Sequence, residues 1–122
     1  MAFFISLEGG HPLPDIDGKG LSRAWNALEP LCEPLGVASL MDFFSASEAQ
    51  QLHYDIEESQ VVPEQWFAAT EGLATVRALR EYVACHAVTG MNVNALTDLK
   101  NFETALSAAE QGEVRWHLSV DD

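Results

Sequence analysis

The sequence predicts one α+β domain over residues 1–122, with a small two- or three-stranded sheet that includes both terminal strands and is covered on one face by three to four helices. Three observations lead to this fold class. Apolar and polar residues alternate near both ends of the chain, as they do in half-buried strands. Between the ends, apolar residues recur at helical spacing. With 122 residues, 48% of them hydrophobic, the chain can form one core, and its two strands need helices packed on them.

The two terminal strands are predicted at residues 3–8 and 113–120. Six side chains should face inward from them: Phe3, Ile5, Leu7, Val114, Trp116 and Leu118. Arg115 and His117 alternate with the apolar residues of the last strand. We keep two alternatives for this strand: a free edge that pairs with a second copy or a partner strand, or a solvent face on which Arg115 and His117 prevent such pairing.

The first helix is predicted after a loop at residues 9–20. Seven apolar residues recur there at helical spacing: Leu21, Ala24, Trp25, Leu28, Leu31, Cys32 and Leu35. Pro30 lies inside this pattern and predicts a kink or a break, because proline lacks the N–H of a helical hydrogen bond. Gly36 is a stop signal.

A short helix is predicted to follow Ser45 and to continue to about His53, because Ser45 and Glu48 have the spacing of a capping box. Residues 54–63 are polar and acidic, which is typical of a surface connection. Residues 65–67 are predicted to be a short strand or the lead-in to the next helix.

Two long helices are predicted at residues 70–87 and 94–111. The first should end at Thr89–Gly90, and Asn94 should cap the second, with Asp98 in its first turn. Their inward faces comprise Leu73, Val76, Leu79, Tyr82, Val83 and His86 in the first helix, and Leu96, Leu99, Phe102, Leu106 and Ala109 in the second.

Charge is the unusual feature of the composition. Nineteen acidic and six basic residues give a net charge of −13. Residues 1–63 hold 10 acids and 2 bases, and residues 64–122 hold 9 acids and 4 bases, so the excess is not confined to a tail. Such a field repels nucleic acids and anionic membranes and attracts basic proteins. The alternative is that the acidity serves solubility alone.

Cys32 and Cys85 lack a CxxC spacing and metal-ligand partners at zinc-finger distances, which favours two reduced thiols acting as core residues. The chain has no apolar stretch near the ~18 residues of a membrane span, and its first residues lack the basic region of a signal peptide. These features predict a cytoplasmic protein.

Two acidic stretches invite a metal hypothesis. Residues 15–20 begin like a calcium loop, but Lys19 and Asn26 occupy ligand positions 5 and 12. His53, Asp55 and Glu57 alternate as ligands on a strand would, yet nothing else there indicates a strand. We therefore expect an acidic turn and a solvated loop, with no metal and no cofactor.

Two stretches carry a resemblance: Trp66-Phe67 with residues 71–79 (EGLATVRAL), and the spaced pattern Asp98-Leu99, Phe102-Glu103, Leu106, Ala109, Gly112, Trp116-His117-Leu118 and Asp121. With the strand-like start and Leu35-Gly36-Val37, they resemble a group of small uncharacterised bacterial proteins, over about half of the chain. The matching positions are mostly helix-face and strand-face residues. The resemblance implies a bacterial, cytoplasmic, single-domain protein and brings no catalytic residue.

The leading functional hypothesis is a protein-interaction module, such as a small inhibitor or immunity-like protein that neutralises a basic partner. Asp55, Glu57 and Glu58 are the predicted contact residues, because they form a dense acidic cluster without an evident structural role. One alternative is a structural homo-oligomer, with a homodimer as the simplest case. The other is an enzyme with an unrecognised site between helices and sheet, for which the first candidates are Glu71, Tyr82, His86 and His117.

Overall fold

A computed structural model confirms the α+β architecture and describes residues 2–9, 18–53 and 56–121. Along the chain lie strand β1 (Ala2–Leu7), helix α1 (Lys19–Cys32), a 3-10 helix (Leu40–Phe43), helix α2 (Glu48–His53), a second 3-10 helix (Glu58–Gln60), helix α3 (Ala69–Cys85), helix α4 (Val93–Gln111) and strand β2 (Trp116–Asp121). The calcium-like stretch at residues 15–17 lies outside the described residues.

The two terminal strands pair with each other in an antiparallel sheet, as predicted. Ile5 lies opposite Leu118, and Phe3 lies opposite Val120. Because side chains alternate between the faces of a strand, Phe3, Ile5 and Leu118 all point to one side, where they are buried in the core. Gly18 pairs with Phe3 on the other edge of β1.

Helices α1, α3 and α4 form the layer that covers this face, with α4 packed against both of the others. Leu79 of α3 and Leu106 of α4 are fully buried between them. The close approach of α3 to the sheet requires a glycine at position 72, because a Cβ there would lie 2.2 Å from Trp116 Cζ2. The predicted packing of the two long helices is therefore confirmed, but the inward position predicted for His86 is wrong, because this residue follows the end of α3 and is exposed.

Two capping predictions were wrong in their residues. Ser47, not Ser45, caps α2: its Oγ accepts from the Gln50 N–H, and Gln50 Oε1 accepts from the Ser47 N–H, both at 3.2 Å. Asn92, not Asn94, caps α4 by accepting from the Ala95 N–H at 2.8 Å. The capping side chain lies two residues after the predicted one in α2 and two residues before it in α4.

Asp98 has a different role from the predicted one. Its Oδ2 accepts from the backbone N–H of Leu21 at 2.9 Å, so the carboxylate lies at the N-terminus of α1. A negative charge there is favourable because the first N–H groups of a helix lack internal partners. Asp98 thus joins α4 to α1 across the core.

Helix ends and cysteines also differ from the expectations. Helix α1 includes Pro30 and ends two residues later, so the proline does not break it before its last turn. Helix α3 ends at Cys85, before Thr89–Gly90. Both cysteines are free thiols, and Cys32 is buried as predicted, whereas Cys85 is exposed because it lies on the outer side of the last turn. None of the helices in the described ranges is long and apolar enough to span a membrane.

Candidate functional site

Residues 44–67, here called the connecting segment, join the first 3-10 helix to α3, and both ends of the segment lie at the outer edge of β2. At its start, Phe44 bridges Leu118 in parallel orientation, and the Ser45 N–H donates to Leu118 O at 3.2 Å. At its end, Phe67 exchanges two backbone hydrogen bonds with Trp116, at 2.8 and 2.9 Å. This part of the β2 edge is therefore occupied by the chain itself and cannot pair with a second copy.

Polar side chains hold the described part of the connecting segment in a closed loop. The buried Gln51 donates from Nε2 to Ala46 O at 3.0 Å and to Val62 O at 2.7 Å. Its Oε1 accepts from the Val62 N–H at 3.0 Å. Ser45 Oγ accepts from the Gln65 N–H at 2.8 Å. The outgoing and returning halves of the segment are thus connected independently of the sheet.

Exposed apolar side chains are concentrated on and beside this segment. Six large apolar side chains are exposed in the described part of the chain, and five of them lie between residues 41 and 62. They are Met41, Phe44, Leu52, Ile56 and Val62, with exposed fractions from 36 to 56%. The same stretch holds five acidic residues and no lysine or arginine. We call residues 41–62 the acidic apolar surface.

The predicted contact residues fall within this surface. Glu57 and Glu58 are exposed and lie at the start of the second 3-10 helix, where Glu57 O accepts from the Gln60 N–H at 2.8 Å. Asp55 lies outside the described residues. The two glutamates therefore have the exposure that a contact role requires, and Ile56 places an exposed apolar side chain beside them.

His117 is buried, with 1% of its surface exposed, so its predicted place on a solvent face is wrong. The connecting segment covers the second face of the sheet at this point: Glu64 Oε2 lies 2.6 Å from His117 Nε2, and the Trp66 ring centroid lies 4.6 Å from the imidazole centroid. Arg115 is exposed as predicted, in a two-bond ion pair with Glu8 at 3.0 and 2.5 Å.

The partners of His117 decide what its ring can do. Its Nδ1 lies 3.1 Å from the Leu118 carbonyl oxygen, which can only accept, so Nδ1 carries the proton of this hydrogen bond. Its Nε2 is hydrogen-bonded to the Glu64 carboxylate. Ser119 Oγ also lies 3.4 Å from Nδ1, which gives the cluster the composition of a Ser–His–carboxylate triad. Because Nδ1 donates to Leu118 O, it has no lone pair for the serine proton.

The other residues of the enzyme hypothesis lie elsewhere. Tyr82 and His86 stack at 4.1 Å near the C-terminal end of α3. Glu71 lies in the first turn of the same helix, about 16 Å from Tyr82 at the ~1.5 Å rise of an α-helix. The fold therefore does not gather the predicted four residues into one site. Among the described residues, no group of three or more His, Cys, Asp or Glu side chains is placed to hold a metal ion.

Sequence reasoning missed Glu64 and Gln51, the two side chains that attach the connecting segment. Both lie in polar stretches without periodicity, and neither belongs to a motif, so no local signal identifies them. Comparisons of the chain with protein-family models, curated proteins and solved structures found no match. The function is therefore inferred from the chemistry of the surface itself.

Proposed function

We propose that this chain is a protein-interaction module that binds a basic protein through the acidic apolar surface, as a small inhibitor or immunity-like protein does. The observation that carries the proposal is that, among the described residues, five of the six exposed large apolar side chains lie in a stretch with five acids and no lysine or arginine. Apolar side chains at the centre of a contact supply affinity, and charges around them supply orientation and association rate. Because this surface has acidic residues and no lysine or arginine, it favours partners with a positive charge.

The way the surface is held supports this role. Both ends of the connecting segment are attached to β2, and Gln51 joins its two halves. A surface that is already ordered loses less conformational entropy when a partner binds than a free loop does. The acidic apolar surface therefore has a preformed frame.

The whole-chain charge acts in the same direction. A net charge of −13 on 122 residues speeds the approach of cations and slows that of nucleic acids and anionic membranes. Both cysteines are free thiols, which suits a reducing compartment, so we place the interaction in the cytoplasm.

The partner can be identified by photo-crosslinking in the native cell, with a photoreactive residue introduced at the exposed Val62. Once the partner is purified, its association rate is measured by stopped flow. The wild type is compared with a variant that carries Asp55→Asn, Glu57→Gln and Glu58→Gln. The matched control, with Glu81→Gln, Glu110→Gln and Glu113→Gln, removes the same number of charges from exposed positions outside this surface.

We expect a basic partner whose association slows about tenfold or more between ~0.05 and ~0.5 M salt, where the Debye length falls to a few ångströms. The variant at residues 55, 57 and 58 should slow association more than the control. A partner that binds both variants at the wild-type rate would contradict the proposal, and so would crosslinking to a neutral or acidic protein. Crosslinking to the chain itself would favour the homo-oligomer.

A further inference from the structure

Two adjoining clefts lie on either side of residues 36–42, which we call the ridge. One cleft, of about 510 Å³, separates the ridge from the C-terminal half of α1. The other, of about 410 Å³, separates it from the N-terminal half of α3. Asp42 and Val37 line both clefts, so the ridge alone divides them. A hydrogen bond of 2.8 Å from Thr75 Oγ1 to Ala38 O fixes the ridge to α3.

Every charged side chain that lines the two clefts is acidic. Glu29, Glu33 and Asp42 line the α1 side, and Asp42 and Glu71 line the α3 side. Glu29 is held in place, because its Oε2 accepts from Trp25 Nε1 at 2.9 Å and from Ser39 Oγ at 3.3 Å. The other oxygen of Glu29 and the carboxylates of Glu33 and Asp42 can accept hydrogen bonds from a cationic group in the α1-side cleft.

Cys32 lines the α1-side cleft and lies in the electrostatic field of its carboxylates. Burial raises the pKa of this thiol, and the charges of Glu29 and Asp42 raise it further, to about 11. The carboxylates add to an effect whose larger cause is burial. A cation in the cleft would offset the part that comes from the carboxylates.

The α3-side cleft has a more apolar wall. Phe43 and Phe67 pack edge to face with ring centroids 5.5 Å apart, and Ala74 of α3 lies on the same cleft. Phe43 also contacts the fully buried Trp116 at 5.2 Å, so the aromatic wall is part of the core. Such a wall fits an apolar side chain rather than a second cation.

We infer that the two clefts form one docking site for a peptide segment of a protein partner, in which an arginine or lysine enters the α1-side cleft and a neighbouring aliphatic or aromatic side chain enters the α3-side cleft. The inference rests on the proposed function and adds a contact site that adjoins the acidic apolar surface at Met41 and Asp42 and takes a stated sequence type. Charge complementarity selects the cation, since no basic residue of the described part of the chain lines either cleft. In an extended peptide, successive side chains point to opposite sides. A peptide that lies along the ridge can therefore place one side chain in each cleft.

The test uses nitrogen-15-labelled protein and three synthetic peptides: Gly-Arg-Leu-Arg-Gly, its Leu→Gly analogue, and its analogue with both arginines replaced by glutamate. Binding is followed by chemical-shift changes of the backbone amides. We expect the first peptide to shift amides of residues 36–42 and 71–75. The Leu→Gly peptide should bind more weakly, and the glutamate peptide should leave the spectrum unchanged.

Glu33→Gln with Asp42→Asn should weaken binding of the first peptide by about fivefold, from the loss of two charge pairs. The control Glu81→Gln with Glu110→Gln removes two charges elsewhere and should weaken it less. Equal weakening by both pairs, no binding of any peptide, or shifts confined to residues 48–62 would overturn the docking site. The last outcome leaves the proposed function standing, because it places the contact on the acidic apolar surface. Concentration-dependent shifts of residues 36–42 without peptide would assign the clefts to a second copy and overturn the inference.

Discussion

At the scale of single residues, His117 holds the connecting segment on the sheet through hydrogen bonds of both ring nitrogens. Its Nε2 reaches Glu64 of the segment at 2.6 Å, and its Nδ1 reaches Leu118 O within β2 at 3.1 Å. Removing one partner of a buried hydrogen bond destabilises the protein by more than the bond itself contributes. The remaining polar group is then buried away from water without any hydrogen-bond partner. The His117–Glu64 pair therefore links the fold to the proposed interaction surface.

This role predicts a graded response at position 64. Glu64→Ala leaves the buried Nε2 without its hydrogen-bond partner and should lower the free energy of unfolding by about 1–3 kcal/mol. Glu64→Gln keeps a side-chain oxygen at the same place and should cost clearly less. Urea unfolding monitored by tryptophan fluorescence measures both. Equal stability of the wild type and the alanine variant would show that the pair does not hold the segment.

Cys32 gives a second residue-scale prediction, in the alkaline range. Its pKa is raised from 9.0 to about 11 in the folded state, so between these values the unfolded chain releases a proton that the folded chain keeps. Stability should therefore fall as the pH rises from about 9 to about 11. Cys32→Ala should lose this part of the pH dependence, whereas Cys85→Ala, at an exposed position, should keep it. The urea midpoints of the wild type and of both variants are measured at pH 8 and at pH 10.5. An equal change of the midpoint with pH in all three proteins would contradict the prediction.

At the scale of elements, periodic patterns in the sequence predict the helices and strands well. Contacts that depend on tertiary position cannot be predicted from such patterns. Alternation predicted the pairing of β1 with β2, and helical spacing predicted α1, α3 and α4 within a few residues. The caps were missed because two candidate side chains lie near each helix start, and the fold selects between them. Asp98 shows the same limit: its partner, Leu21, is distant in sequence.

The start of α4 offers a matched test of this selection. Asn92→Ala removes the oxygen that accepts from the Ala95 N–H and should destabilise the protein by about 1 kcal/mol. Asn94→Ala keeps the Cβ that lies against Gly20 and should change stability by less than about 0.5 kcal/mol. Thermal unfolding of both variants provides the comparison. A larger effect at position 94 would place the cap there.

At the scale of the whole molecule, the connecting segment determines what the sequence could and could not reveal about the site. The acidity and the exposure of the glutamates at positions 57 and 58 could be predicted, because they depend only on local composition. The burial of His117 could not be predicted, because it depends on a segment with no periodic pattern crossing the second face of the sheet. The clefts beside the ridge were also unreadable, since α1, the ridge and α3 bring their carboxylates together only in the fold.

The net charge of −13 yields a prediction that separates solubility from recognition. Repulsion among exposed like charges destabilises the compact chain, so salt should raise the thermal unfolding temperature by screening it. Neutralising residues 55, 57 and 58 relieves part of this repulsion, and the variant should be at least as stable as the wild type, with a weaker response to salt. Association with a basic partner should respond with the opposite sign, since the same screening removes the attraction. Calorimetry from ~0.05 to ~0.5 M salt measures the first effect, and stopped-flow association over the same range measures the second. A surface that is acidic for solubility alone would show the first effect without the second.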